Sequence, residues 1–163
     1  RYYADMLGSD VGVFYKRRDL SKVVNGKNPI VEHMYMGADP KRKDVIIVDD
    51  MIASGGSMIE VAENLRKKGV DKIFLIATFA LFTEGTEKFV EAYDQGLFTK
   101  LYSTNLSYVP ESITNKEWYQ EVDCSKYMAL IINTLNKKED IEGLWNGKKK
   151  IIDKIKVKKY QEK

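Results

Sequence analysis

Apolar residues along this chain fall into two rhythms. Two runs are continuous: Val45-Ile46-Ile47-Val48, and Lys-Ile-Phe-Leu-Ile-Ala-Thr over 72–78. Unbroken β-branched and aromatic runs of this length predict strands buried on both faces, as in a parallel sheet. Elsewhere the rhythm is helical. Met58, Val61, Ala62 and Leu65 recur at i, i+3, i+4 and i+7, which predicts a helix with one face on a sheet. Ser57 opens that helix with Glu60 three residues on, a capping-box spacing, and Gly69 closes it. Further helices are predicted over 86–95, stopped by Gly96, and over 125–136, where Met128, Ile131, Ile132 and Leu135 share a face. Residues 1–7 read as the end of a helix, stopped by Gly8. Short strands are predicted over 11–15, 31–36 and 100–103, a charged turn over 37–44, and a last short helix over 140–145. Residues 16–29 are polar and carry Asn25-Gly26 and Asn28-Pro29, so they read as a loop.

Strands alternating with helices predict an α/β fold with a parallel, doubly wound sheet flanked by helices. In such sheets ligands bind beyond the carboxyl ends of the strands. Asp49-Asp50, Thr78 onward and Thr104-Asn105 all fall at such ends, so they are expected to share one crevice. A length of 163 residues suits one domain, taken as 1–147, followed by a basic tail over 148–163.

The densest chemistry follows the first apolar run. Asp49 and Asp50 come directly after Val48, and Ser54, Gly55, Gly56 and Ser57 form a short loop before the helix. Glycines let backbone N–H groups converge on an anion, and the helix turns its positive end to the same place. Two solvated acids in a loop are unremarkable alone, and Ser57 capping a helix needs no ligand. Together the acids and the loop describe a cradle for a phosphorylated sugar. Carboxylates repel phosphate, so the pair needs vicinal ribose hydroxyls, or a Mg²⁺ bound to them, as its partner. Lys16, Arg17 and Arg18 form a second cluster, which by itself reads as a solvated turn. His33, the one histidine, has no partner for a triad or a histidine-based metal site.

The segment over 45–57 resembles the phosphoribosyl-pyrophosphate (PRPP) motif of type I phosphoribosyltransferase folds. Lys16-Arg17-Arg18 upstream, then 77–82 and Ser103-Thr104-Asn105-Leu106, follow the order of the ribose-phosphate pyrophosphokinase (PRPP synthetase) family. The resemblance covers about residues 1–145 and corresponds to the C-terminal half of such an enzyme. It implies transfer of diphosphate from ATP to the C1 hydroxyl of ribose 5-phosphate, giving PRPP and AMP. Asp49 and Asp50 would hold the ribose, with Ala53, Ser54, Gly55, Gly56 and Ser57 around the 5-phosphate. Lys16 with Arg17 or Arg18 would close over the transferring group as catalytic residues. Mg²⁺ would be held mainly by ATP and ribose oxygens, with no metal site built from protein residues. A homo-oligomer, dimeric or higher, is also implied. The family's adenine-binding elements lie N-terminal to the position of Arg1, and Arg1 in place of a Met reads as a cut edge. Ala53 departs from the pattern, since many members carry an acid there. Its absence counts against the alternative of a phosphoribosyltransferase that uses PRPP as donor. An intact acid pair and loop count against the other alternative, a non-catalytic regulatory module.

Composition narrows the rest. Formal net charge is +3, but 148–163 hold eight lysines against Asp153 and Glu162, leaving −3 over the other 147 residues. The basic pI therefore describes a tail and not a binding face. With Tyr160 its sole aromatic, the tail shows no stacking pattern for nucleic acid. No apolar run approaches the length of about 18 residues needed for a membrane helix, and the sequence is expected to carry no secretory signal. Cys124 is the one cysteine, so no internal disulfide forms, which points to a cytoplasmic setting.

Overall fold

The computed structural model describes residues 2–18, 21, 30–141, 144, 147 and 151–154. The chain divides into two compact units, Arg1–Asp39 with Asp140–Lys163, and Pro40–Glu139.

In the first unit, helix α1 (Tyr2–Leu7) precedes an antiparallel pair, β1 (Val13–Arg18) and β2 (Ile30–Met36). Phe14 and Tyr35 face each other across it with ring centroids 5.1 Å apart. Strand β1 runs three residues past the expected end at Tyr15, so Lys16, Arg17 and Arg18 lie in a strand and not in the predicted loop. Alternation with the β2 ladder carries it on: Lys16 pairs with His33 and Arg17 with Glu32, and the register shifts before Arg18. The remainder of the predicted loop, apart from Ser21, lies outside the described residues. So do 142, 143 and 145 of the helix predicted over 140–145, and most of the basic tail, where 151–154 are helical.

The second unit carries the parallel sheet. Strands β3 (Val45–Ile52), β4 (Ile73–Ala80), β5 (Lys100–Thr104) and β6 (Tyr119–Val122) lie side by side in chain order. Helix α2 (Gly56–Lys67) joins β3 to β4, α3 (Glu87–Asp94) joins β4 to β5, and the short α4 (Glu111–Thr114) joins β5 to β6. Helix α5 (Ser125–Asn136) follows β6. Register puts Ile47, Leu75, Leu101 and Tyr119 in one row and Asp49, Ala77, Ser103 and Glu121 in another. This face is the core: Ile73, Leu75, Ala77 and Leu101 are buried, as are Met58, Ala62 and Leu65 of α2 and Phe89 of α3. An aromatic cluster of Phe82, Phe89, Phe98, Tyr93 and Trp118 extends it, with neighbouring centroids 5.2–6.5 Å apart. Ser103, buried in β5, shares a 2.8 Å hydrogen bond with the Tyr119 hydroxyl. Gly69, at φ 76°, ends α2, while Arg66 donates to the carbonyls of Leu97, Val70 and Asp71 beyond it.

Three expectations change. β3 is an edge strand, and the outer residues Ile46 and Val48 remain 45% and 43% exposed, so it is not buried on both faces. None of α5 is buried; Ile132 and Leu135 of its apolar stripe stand largely exposed. α4 and β6 were not expected from the pattern; four-residue elements, one of them the non-alternating Tyr-Gln-Glu-Val, are too short to set a period. Among the described residues no helix is long and apolar enough to cross a membrane.

Candidate functional site

Strand β3 extends four residues beyond the apolar run, so Asp49 and Asp50 are part of the strand and not of the loop after it. The ladder to β4 sustains this: Asp49 pairs with Ala77, Met51 with Phe79 and Ile52 with Ala80. Strand pleating turns adjacent side chains to opposite faces. Asp49 and Asp50 therefore project differently, yet the Asp50 N–H donates to Asp49 Oδ1 at 2.9 Å. Partial enclosure of the Asp49 carboxyl raises its pKa. The Asp50 N–H opposes this, while the neighbouring Asp50 carboxyl adds to it. A carboxylate placed this way is short of donors, and two adjacent hydroxyls are of the right kind to supply them.

The chain then turns through Ala53, Ser54 and Gly55 into α2. Gly55 is buried and sits in the left-handed region at φ 75°, where an L side chain is strained. It is the N-cap of α2, which begins at Gly56 and closes its first turn with Ile59 N–H donating to the Gly55 carbonyl at 3.0 Å. The expected capping box is therefore displaced: Ser57 is the second helical residue, and no side chain caps the helix. A glycine N-cap leaves the first N–H groups of α2 without a side-chain acceptor, the property an anion cradle needs. Gly56 and Ser57 are exposed and Ser54 is half-buried.

Neighbouring loops hold this turn. Leu81 and Phe82 N–H groups donate to the Ile52 carbonyl at 2.8 and 3.3 Å, and Thr83 N–H to the Ala53 carbonyl at 2.9 Å. The loop after β5 ties to β4 in turn. Thr104 Oγ1 donates to the Thr78 carbonyl at 2.6 Å, and Ser107 Oγ accepts from Ala80 N–H at 3.1 Å. Asn105 reaches onward to Asp123 and Ser125 after β6. Asp49-Asp50, Thr78 and Thr104-Asn105 thus share the carboxyl edge of one sheet, as their positions in the sequence predict. The resemblance took in 77–82, but the loop-holding role of 81–83 was not foreseen, because its ties are made by main chain and leave no side-chain signal. Phe82 at φ 46° is the structural mark it does leave.

Lys16, Arg17 and Arg18 belong to the other unit, in β1. No group of three or more His, Cys, Asp or Glu among the described residues is placed to hold a metal ion. Magnesium commonly takes one or two carboxylates and completes its shell with phosphates and water. The hard, exposed oxygens of Asp49 and Asp50 fit that mode.

A family model described as the phosphoribosyl transferase domain matches residues 3–116. The ribose-phosphate pyrophosphokinase of Pyrococcus furiosus is 38% identical over 112 residues, 66% of this chain and 38% of that protein. Its counterpart in Thermococcus kodakarensis is 38% identical over 115 residues, 68% of this chain and 39% of that protein. Among solved structures, a phosphoribosylpyrophosphate synthetase from Mycobacterium smegmatis superposes with a TM-score of 0.61 at 20% identity, over 84% of this chain and 40% of that one. That likeness shows the fold, an α/β parallel sheet flanked by helices. The chain spans about two fifths of the length of these relatives.

Proposed function

Since this chain belongs to the phosphoribosyl transferase domain family, we propose that its β3–α2 loop binds ribose 5-phosphate as part of a ribose-phosphate pyrophosphokinase. The reaction moves diphosphate from ATP to the C1 hydroxyl of ribose 5-phosphate and yields PRPP and AMP. The C1 oxygen attacks the β-phosphorus of ATP, the bond from that phosphorus to the AMP oxygen breaks, and the hydroxyl proton leaves. The observation that carries the reading is the uncapped start of α2 behind the left-handed Gly55, directly downstream of Asp49 and Asp50.

Each residue then has a physical task. Gly56, Ser57 and Met58 N–H groups, with the hydroxyls of Ser54 and Ser57, donate to the 5-phosphate. Asp49 and Asp50 accept from ribose hydroxyls and so fix the ring relative to its phosphate. Ala53 adds no polar group. Lys16, with Arg17 or Arg18, supplies positive charge to the transferring phosphates, for which positioning and charge neutralisation matter more than covalent help. Bound Mg²⁺ would neutralise phosphate charge, and Asp49 and Asp50 would hold it through ribose oxygens and water. The ATP-binding elements are expected in the full-length protein, since this chain spans about two fifths of its named relatives; a homo-oligomeric assembly is expected from the family resemblance alone.

The test is product formation by the full-length protein from ATP and ribose 5-phosphate, with AMP and PRPP in equal amounts. Lys16→Ala should lower kcat far more than it raises KM for ribose 5-phosphate, since the cation acts on the transition state. A change confined to KM would remove the lid role. Absence of both products from the wild type would remove the reaction.

A further inference from the structure

Phe89, a core residue with no part in the proposed chemistry, has its ring against the β3–α2 loop. It comes from α3, is fully buried, and occupies the space a side chain at Gly55 would need: a methyl built on Gly55 would overlap the ring. The ring is held on two sides. Phe82 meets it edge-on at 5.2 Å between centroids and 88° between planes, and Phe98 at 6.5 Å and 74°. Phe82 carries an unusual backbone for a bulky residue, φ 46°. It belongs to the same stretch whose N–H groups bind the Ile52 and Ala53 carbonyls. One segment, 81–89, therefore grips the loop twice, by main-chain hydrogen bonds where the loop leaves β3 and by an aromatic floor where it enters α2.

We infer that Phe89 is a positioning residue for the sugar-phosphate loop: its ring sets the course of the Gly55 backbone and so aims the first N–H groups of α2 at the 5-phosphate. The inference rests on the proposed function for its ligand. Its structural half stands on the packing alone. A plain core residue contributes stability wherever it sits. A floor under a glycine in a left-handed conformation also fixes which way the next amides point, and small displacements at such groups have large consequences for binding.

Phe89→Leu tests it beside Phe98→Leu, the same change one ring further from the loop. Both variants are measured where they are fully folded, by amide hydrogen exchange and by calorimetric titration with ribose 5-phosphate. Phe89→Leu is expected to speed exchange at Gly55, Gly56 and Ser57 and to weaken affinity by roughly tenfold or more. Phe98→Leu is expected to lower the melting temperature comparably while leaving both readouts near wild type. If Phe89→Leu does not fold, Phe89→Met carries the same comparison, keeping most of the volume without the ring. Equal exchange at the three amides in the two variants would overturn the positioning role. Wild type that fails to bind ribose 5-phosphate would overturn the functional reading instead, and the exchange comparison would still decide the role of Phe89.

Discussion

The β3–α2 and β6–α5 junctions follow one local plan, a strand with acids near its end, a short turn, then a twelve-residue helix. They treat their acids in opposite ways. After β6, Asp123 Oδ1 accepts from Ser125 N–H at 2.8 Å and from Asn105 Nδ2 at 2.9 Å, while Asn105 Oδ1 accepts from Cys124 N–H at 2.9 Å. The Ser125 hydroxyl, the Ser125 N–H and the Asn105 amide together pull the Asp123 pKa below its ordinary value. At that helix start the Cys124 and Ser125 N–H groups are taken by the protein's own side chains. Neither helix is capped by its own N-cap side chain, but after β3 no neighbouring side chain among the described residues takes the first N–H groups, and the Asp49 pKa is raised by enclosure with no cation among the described residues to offset it. One junction uses its acid and amide on its own backbone; under the proposed function the other keeps donors for an anion and acceptors for hydroxyls. The difference distinguishes a self-satisfied turn from the proposed sugar-phosphate site where the strand–turn–helix pattern alone does not.

Removing the backbone freedom of the open junction should have the largest effect. Gly55→Ala places a methyl against Phe89 at φ 75°, and is expected to cost on the order of 3 kcal/mol of stability. Chemical denaturation measures it, and ribose 5-phosphate binding should vanish with it. A variant as stable as wild type would mean that the loop can reroute.

The carboxylate pair comes next. Asp49→Asn and Asp50→Asn keep size but lose charge and acceptor directions. If they grip ribose hydroxyls, wild type should discriminate against 2-deoxyribose 5-phosphate by about 1–3 kcal/mol, roughly ten- to hundredfold. The Asn variants should lose much of that preference. Because Asp49 must be ionised to accept, wild-type affinity should fall with decreasing pH from above the ordinary carboxylate range, and Asp49→Asn should flatten that limb. Full ribose preference in both variants would assign the acids to another task.

At the closed junction the effect should be smallest and of a different kind. Asp123→Asn should lower the melting temperature and leave sugar-phosphate affinity unchanged. A lowered native pKa stabilises the fold above the ordinary carboxylate pKa, about 4, and that contribution is lost as pH falls below it. Melting curves of wild type and variant should therefore converge in acid. Weakened ribose 5-phosphate binding in Asp123→Asn would erase the contrast between the junctions.

Much of the open junction was legible in the sequence, because a β-branched run, two acids and a Ser-Gly-Gly-Ser loop are local features. Which glycine does the conformational work was not. Gly55 and Gly56 look alike in a string, and only the Phe89 ring, thirty-odd residues away, distinguishes them. Lys16, Arg17 and Arg18 were placed in a loop because charge and turn residues dominate that stretch; pairing with His33 and Glu32 in β2 draws them into a strand. Apolar periodicity also overstated burial in β3 and α5. Periodicity records which face is apolar, and Ile46 and Ile132 show that it does not record what covers that face.

The central claim is tested most directly at Gly56. A Cβ there meets only Ser54 Oγ, at 3.8 Å, and its φ lies outside the left-handed region, so the fold should accept a side chain that blocks the N–H groups behind it. Calorimetric titration of wild type and Gly56→Val with ribose 5-phosphate, alongside their melting temperatures, makes the measurement. The account predicts single-site binding by wild type and at least a tenfold loss in the variant, about 1.4 kcal/mol, with little change in melting temperature. Equal affinity in the two proteins would contradict it.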